Sequence, residues 1–134
     1  MNRIENRMAE LKKSNKKAFI TYTTAGFPDI EKTKEIILAQ EEAGIDVIEL
    51  GVPFSDPVAD GPVIQNASVA AINNGITLEK IFELMKELRD EGCEVPILFM
   101  MYYNTAYHYG LEAFVRKCAA CGVDGLIIPD LPYE

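Results

Sequence analysis

The chain has 134 residues, 49% of them hydrophobic and 25% charged, the proportions of a single globular domain with a real core. Against 13 Lys and Arg stand 21 Asp and Glu, and the formal net charge of -8 argues against nucleic acid or an anionic membrane as the main partner. No run approaches the ~20 apolar residues that a bilayer span needs.

Asn2, Arg3, Glu5, Asn6 and Arg7 interrupt any apolar signal core at the N-terminus, so secretion is not expected. Cys93, Cys118 and Cys121 leave one odd thiol in any disulfide scheme, which fits a reduced, cytoplasmic setting. Cys118 and Cys121 have a redox or metal spacing. They fall near the end of an expected helix, with no second pair and His108 the only histidine, so ordinary buried thiols and no metal are expected.

In chain order, Ile4, Met8 and Leu11 predict a short amphipathic helix over residues 2–13. Its Arg3, Arg7, Lys12 and Lys13, with Lys16 and Lys17 beyond, read as a solvated face and trailing loop in preference to a basic arm. Residues 18–24, AFITYTT, read as a first strand ended by Gly26 and Pro28. A helix follows over 29–43, with acids at its start and Gly44 after its end. The second strand is 46–50.

After a loop holding Pro53, Pro57 and Pro62 comes a weaker helical segment, 63–73, closed by Asn74-Gly75. The clearest helix starts at Thr77 as N-cap, carries Ile81, Leu84, Met85 and Leu88 on one face, and stops at Gly92. Residues 96–101 form a third strand, apolar throughout as buried parallel strands are. Tyr103 and Tyr107 beside Asn104 read as loop. Residues 111–121 are a helix and 124–128 a fourth strand.

Such alternation predicts a parallel α/β sheet. Strand starts near 18, 46, 96 and 124 make the unit after the second strand the longest, and it holds an acid-rich loop. Extra residues beyond a strand's C-terminal end are where parallel α/β folds place their chemistry. A lone carboxylate inside the apolar run Val47-Ile48-Glu49-Leu50 is costly to bury as an ion; it takes up a proton or finds a strong partner. Alternation puts Ile48 and Leu50 on one face and Glu49 on the other. Tyr22, Thr24, Met100, Tyr102, Ile127 and Pro129 occupy similar C-terminal positions on the other strands. An acid, two phenols and several apolar groups therefore converge on one rim, suited to a flat apolar substrate that needs a proton moved. Asp60 is held opposite the strand end by its proline-stiffened loop. Asp56 is either a turn-former or a partner in closing that loop. Three acids in twelve residues could suggest Mg²⁺, but nothing else in the sequence supports it.

Residues 48–61, IELGVPFSDPVADG, resemble the signature of the tryptophan synthase α-subunit family, and so do AFITYTTAGFPD, GPVIQNA, MYYN and GVDGLIIPDLP around it. The resemblance runs through the chain in register. It implies a (β/α)8 TIM-barrel fold, here its first four strands preceded by an amphipathic helix. It implies a lyase that cleaves indole-3-glycerol phosphate to indole and glyceraldehyde 3-phosphate without metal or organic cofactor. By the same analogy Glu49 is the general acid and base, and Asp60 steadies the indole N–H tautomer. Tyr22, Ile64, Met100, Tyr102, Ile127 and Pro129 line the indole pocket; Tyr22 and Pro129 depart from the commoner Phe and Ala. Pro53, Asp56, Pro57, Met101 and Asn104 match loops that face a β-subunit, in an α2β2 heterotetramer.

A complete barrel of this kind needs roughly 250 residues. Residues 1–134 thus read as the N-terminal half of one barrel domain, without the family's phosphate-binding loops after strands seven and eight. The expected alternatives are a non-catalytic half-barrel that dimerises or binds a partner, and another barrel lyase or isomerase acting on phosphorylated substrates.

Overall fold

The computed structural model describes residues 2–56 and 59–133. Its elements run α1 (Arg3–Lys13), β1 (Ile20–Thr24), α2 (Ile30–Glu42), β2 (Val47–Gly51), α3 (Pro62–Asn73), α4 (Leu78–Asp90), β3 (Ile97–Met100), α5 (Tyr103–Tyr109), α6 (Leu111–Cys121) and β4 (Gly125–Ile127). The four strands form one parallel sheet in the order β1-β2-β3-β4. The expected alternation holds, and the long step between β2 and β3 is filled by two helices and the loop before them.

The helix starts follow from capping chemistry. The Asp29 side chain accepts from the Lys32 N–H at 2.8 Å, and Thr77 accepts from Lys80 N–H at 3.2 Å. At α1 the Asn2 side chain accepts from Glu5 N–H while the Glu5 carboxylate accepts from Asn2 N–H, a reciprocal cap. The helix-facing side of the sheet carries Ile48, Leu50, Ile97 and Phe99, all fully buried beneath α2, α4 and α6. Ile81, Phe82, Leu84, Met85 and Leu88 of α4 supply the other half of that core. Burying each such side chain contributes about 1.5–3 kcal/mol. Phe82 is the hub of its aromatic part, with ring centroids 5.9 Å from both Phe99 and Phe114.

Two expectations are corrected here. Residues 103–109 are helical, so Tyr103, Asn104 and Tyr107 lie on α5 and not in a loop. This short helix has no side-chain cap of its own; the Tyr103 N–H donates to the Asp130 carboxylate at 2.8 Å instead. The arginines of α1 are not a solvated face. Arg3 pairs with Glu94 at 2.9 Å and with Asp124 at 3.2 Å, and Arg7 donates to Asp46 at 2.7 Å. Those acids precede β3, β4 and β2, so α1 is fastened across the N-terminal ends of the strands. Asp124 also accepts from Ile97 N–H and from Arg89, both at 2.9 Å, and Asp46 from Phe19 N–H at 2.7 Å. The C-terminal ends of the strands lie at the opposite end of the sheet from α1.

Candidate active site

The inner face of the sheet, away from the helices, carries the chemistry. Tyr22 is in register with Glu49, Glu49 with Leu98, and Met100 with both Gly51 and Ile127. In-register neighbours of parallel strands point to the same side. β2 alternates accordingly: Ile48 and Leu50 are fully buried, whereas Glu49 between them is only half-buried. Among the described residues no ion pair holds its carboxylate. The acid thus meets the cost of burial by facing the sheet's open inner side.

Gly51 follows on the same face, two residues on. A Cβ there would fall on the Tyr22 hydroxyl, so the missing side chain is what lets the phenol lean across the end of β2. Burial pushes the Tyr22 phenol above its ordinary range; a hydrogen bond with Thr24 opposes this, and the charges of Asp60 and Glu49 add to it. Tyr22 therefore lies within electrostatic reach of both carboxylates.

The loop after β2 folds back over this rim. The Tyr102 hydroxyl accepts from Ala59 N–H at 2.8 Å, and the Tyr102 ring stacks on Phe54 with centroids 5.2 Å apart. Burial likewise raises the Tyr102 phenol, the Ala59 hydrogen bond lowers it, and Asp60 raises it further. Tyr22, Val52, Asp60, Ser68, Met100, Met101, Tyr102 and Pro129 enclose a cavity of about 10 Å³. That is space for roughly one water.

Five of the expected site residues, Tyr22, Asp60, Met100, Tyr102 and Pro129, thus share one wall. Glu49 stands beside Tyr22, and Ile127 beside Met100, without lining the small cavity. Ile64 lies on the other side of Tyr22, in a groove with Thr24, Phe27 and Val63. Val52 and Ser68 were not foreseen; Ser68 follows Ile64 by one helical turn, which was the available signal. Of the expected partner-facing residues, Asp56 and Asn104 are exposed and Pro53 half-buried, while Pro57 lies outside the described residues. Met101 is 1% exposed and packs in the core, so its side chain is not at a surface. Its parity with Ile97 and Phe99 turns it toward the helices.

Cys118 and Cys121 are buried and free, and burial pushes the Cys118 thiol up to about 12. Neither is a poised nucleophile. Among the described residues no group of His, Cys, Asp and Glu has the arrangement to hold a metal ion. Among the described residues no helix is long and apolar enough to cross a membrane.

The sequence profile described as "Tryptophan synthase alpha chain" matches residues 8–134. The chain belongs to the tryptophan synthase alpha chain family. It is 66% identical over all 134 residues to the tryptophan synthase alpha chain of Lachnospira eligens, covering 51% of that relative. It is 54% identical to that of Alkaliphilus metalliredigens, covering 50% of it. The crystal structure of tryptophan synthase subunit alpha from Legionella pneumophila superposes with a TM-score of 0.95 at 39% identity, over 98% of this chain and 50% of that one. The chain spans about half the length of the curated relatives it matches. In a tryptophan synthase alpha chain of that length, β1 to β4 are four consecutive strands of a TIM barrel, and the Glu49 rim is part of its C-terminal face.

Proposed function

We propose that residues 1–134, within a full-length tryptophan synthase alpha chain, supply the acid–base half of a carbon–carbon lyase site. The reaction is the retro-aldol cleavage of indole-3-glycerol phosphate. The observation that carries this reading is the convergence of two carboxylates on Tyr22: Glu49 of β2 is in register beside Tyr22 of β1, and Asp60 lines the small cavity together with Tyr22. An indole ring seated on Tyr22, Met100 and Tyr102 presents its C3 to one acid and its N–H to the other.

In this mechanism Glu49, protonated, delivers its proton to C3 of the ring. The nitrogen lone pair moves into the ring, and the positive charge on the N–H is balanced by the Asp60 carboxylate. Glu49, now a carboxylate, accepts the proton of the glycerol hydroxyl next to the ring. The C–C bond breaks, its electron pair returns to the ring, and indole and an aldehyde leave. One proton is given and one taken by the same group, so the enzyme ends as it began. Glu49 fits this task because a half-buried side chain can exchange protons. Asp60 fits its own because a fixed anion stabilises charge only where charge develops.

Tryptophan synthase β-subunit is the partner proposed for the full-length chain, met by the surface of the β2 loop and the start of α5, where Pro53, Asp56 and Asn104 lie. The test is a chimera in which residues 1–134 replace the matching half of the Lachnospira eligens relative. The expected outcome is indole release from indole-3-glycerol phosphate within about tenfold of the intact relative. A folded chimera that releases no indole contradicts the assignment.

A further inference from the structure

Gln65 carries no role in the reading above, yet it makes one of the shortest polar contacts near the site. Its Nε2 donates to the Asp60 backbone carbonyl at 2.7 Å. The acceptor there is a carbonyl oxygen, so the side-chain amide must present its NH2 and not its own oxygen. Gln65 sits in the first turn of α3, where its backbone N–H bonds Gly61 O at 3.0 Å. Its position is therefore fixed by the helix. The same turn has glycine as its N-cap and no side-chain cap, so among the described residues the Gln65 amide is the one side chain of α3 hydrogen-bonded to the loop that enters it.

On the other side of Asp60 the chain is caught again. Ala59 N–H donates to the Tyr102 hydroxyl at 2.8 Å, and Tyr102 is itself buried and stacked on Phe54. One hydrogen bond thus holds the peptide before Ala59, from the end of β3. The other holds the peptide after Asp60, from α3. The segment Ala59–Asp60 is clamped between two regular elements although it belongs to neither.

We infer that Gln65, together with the Tyr102 hydroxyl, is a positioning residue that fixes the main chain at Asp60 and so aims its carboxylate at the reacting ring. The inference rests on the role proposed for Asp60 and adds a dependence to it. A surface loop alone places a carboxylate loosely, and displacements near 1 Å cost as much as ~100-fold in rate. Gln65 never touches the substrate; it acts through Asp60. A purely structural role for Gln65 would instead affect the enzyme regardless of what residue 60 is.

A double-mutant cycle in the chimera separates these cases. Gln65→Met keeps the side-chain length and removes the donor. It is expected to lower kcat about tenfold with KM within about twofold, and to lower activity less than about twofold when Asp60→Ala is already present. An equal loss in both backgrounds, or no loss in the Asp60 background that functions, overturns the inference. Tyr102→Phe, which keeps the ring and removes the other anchor, must show the same dependence on Asp60 and serves if Gln65→Met does not fold. Asp60→Ala with full activity overturns the proposed role of Asp60 itself, and leaves Gln65 nothing to position. A loss on Asp60→Ala without that dependence rejects the inference alone.

Discussion

Where β2 ends, Gly51 and the Tyr22 phenol share one volume: the hydroxyl stands where a Cβ would be. Gly51 does not need a left-handed backbone, so the constraint is contact and not φ. Gly51→Ala in the chimera is expected to destabilise by about 1–3 kcal/mol, the usual cost of overpacking, and to swing Tyr22 away from the rim. Urea melts and the KM for indole-3-glycerol phosphate check both effects; Gly51→Ala with unchanged stability and KM would mean that Tyr22 has other room. At this scale much was legible. Strict alternation in Val47-Ile48-Glu49-Leu50 places Glu49 opposite the core. The same alternation through Ile97, Phe99 and Met101 turns the Met101 side chain into the helix-side core, away from the partner-facing loop position that the resemblance implied. What alternation could not supply is the fold-back of the β2 loop. That depends on the bonds from Ala59 to Tyr102 and from Gln65 to Asp60, which residue types alone do not announce.

Elements with their own caps and periodicity were readable, and those stabilised from elsewhere were not. Thr77 with the α4 apolar face belongs to the first kind. α5 belongs to the second, since its seven residues lack a cap and its first N–H is held by Asp130, twenty-seven residues on. The α1 arginines likewise looked solvated because their partners, Asp46, Glu94 and Asp124, are distant in sequence. Asp46 gives a pH prediction. The Phe19 N–H, and then the Arg7 guanidinium against the opposing effect of burial, hold its carboxyl below the usual carboxylate range. A folded-state value below the unfolded one adds stability above the unfolded value, near pH 4. That increment is lost as pH falls from there through the depressed value. Equilibrium unfolding of the chimera should therefore weaken across that acid window. Asp46→Asn should be weaker at pH 7 and lose less stability on acidification; equal acid slopes would contradict the assignment.

At the scale of the whole chain, alternation of strand and helix disclosed the parallel sheet, and the uneven spacing of strand starts marked the unit that holds the acids. The sheet has two free edges, β1 and β4. Beside β1, Phe19, Ile20 and Val63 are exposed, the last at 82%. Beside β4, Leu111, Val115, Leu126, Leu131 and Tyr133 border an apolar groove of about 480 Å³. Unpaired edges flanked by apolar surface promote association. The 134-residue chain expressed alone is expected to sediment as concentration-dependent species larger than a monomer, and to release indole at least about 100-fold more slowly than the chimera, since half a rim leaves substrate largely unheld. A stable, active monomer would show that four strands suffice.

In the proposed mechanism Glu49 moves the proton and Asp60 balances the charge. Its most direct test is the rate of indole release by the chimera with and without Glu49→Gln, a substitution that keeps the shape of the side chain and removes its proton exchange. With Glu49→Gln, kcat is expected to fall about 100- to 10,000-fold with little change in KM. Full turnover with glutamine at position 49 would contradict it.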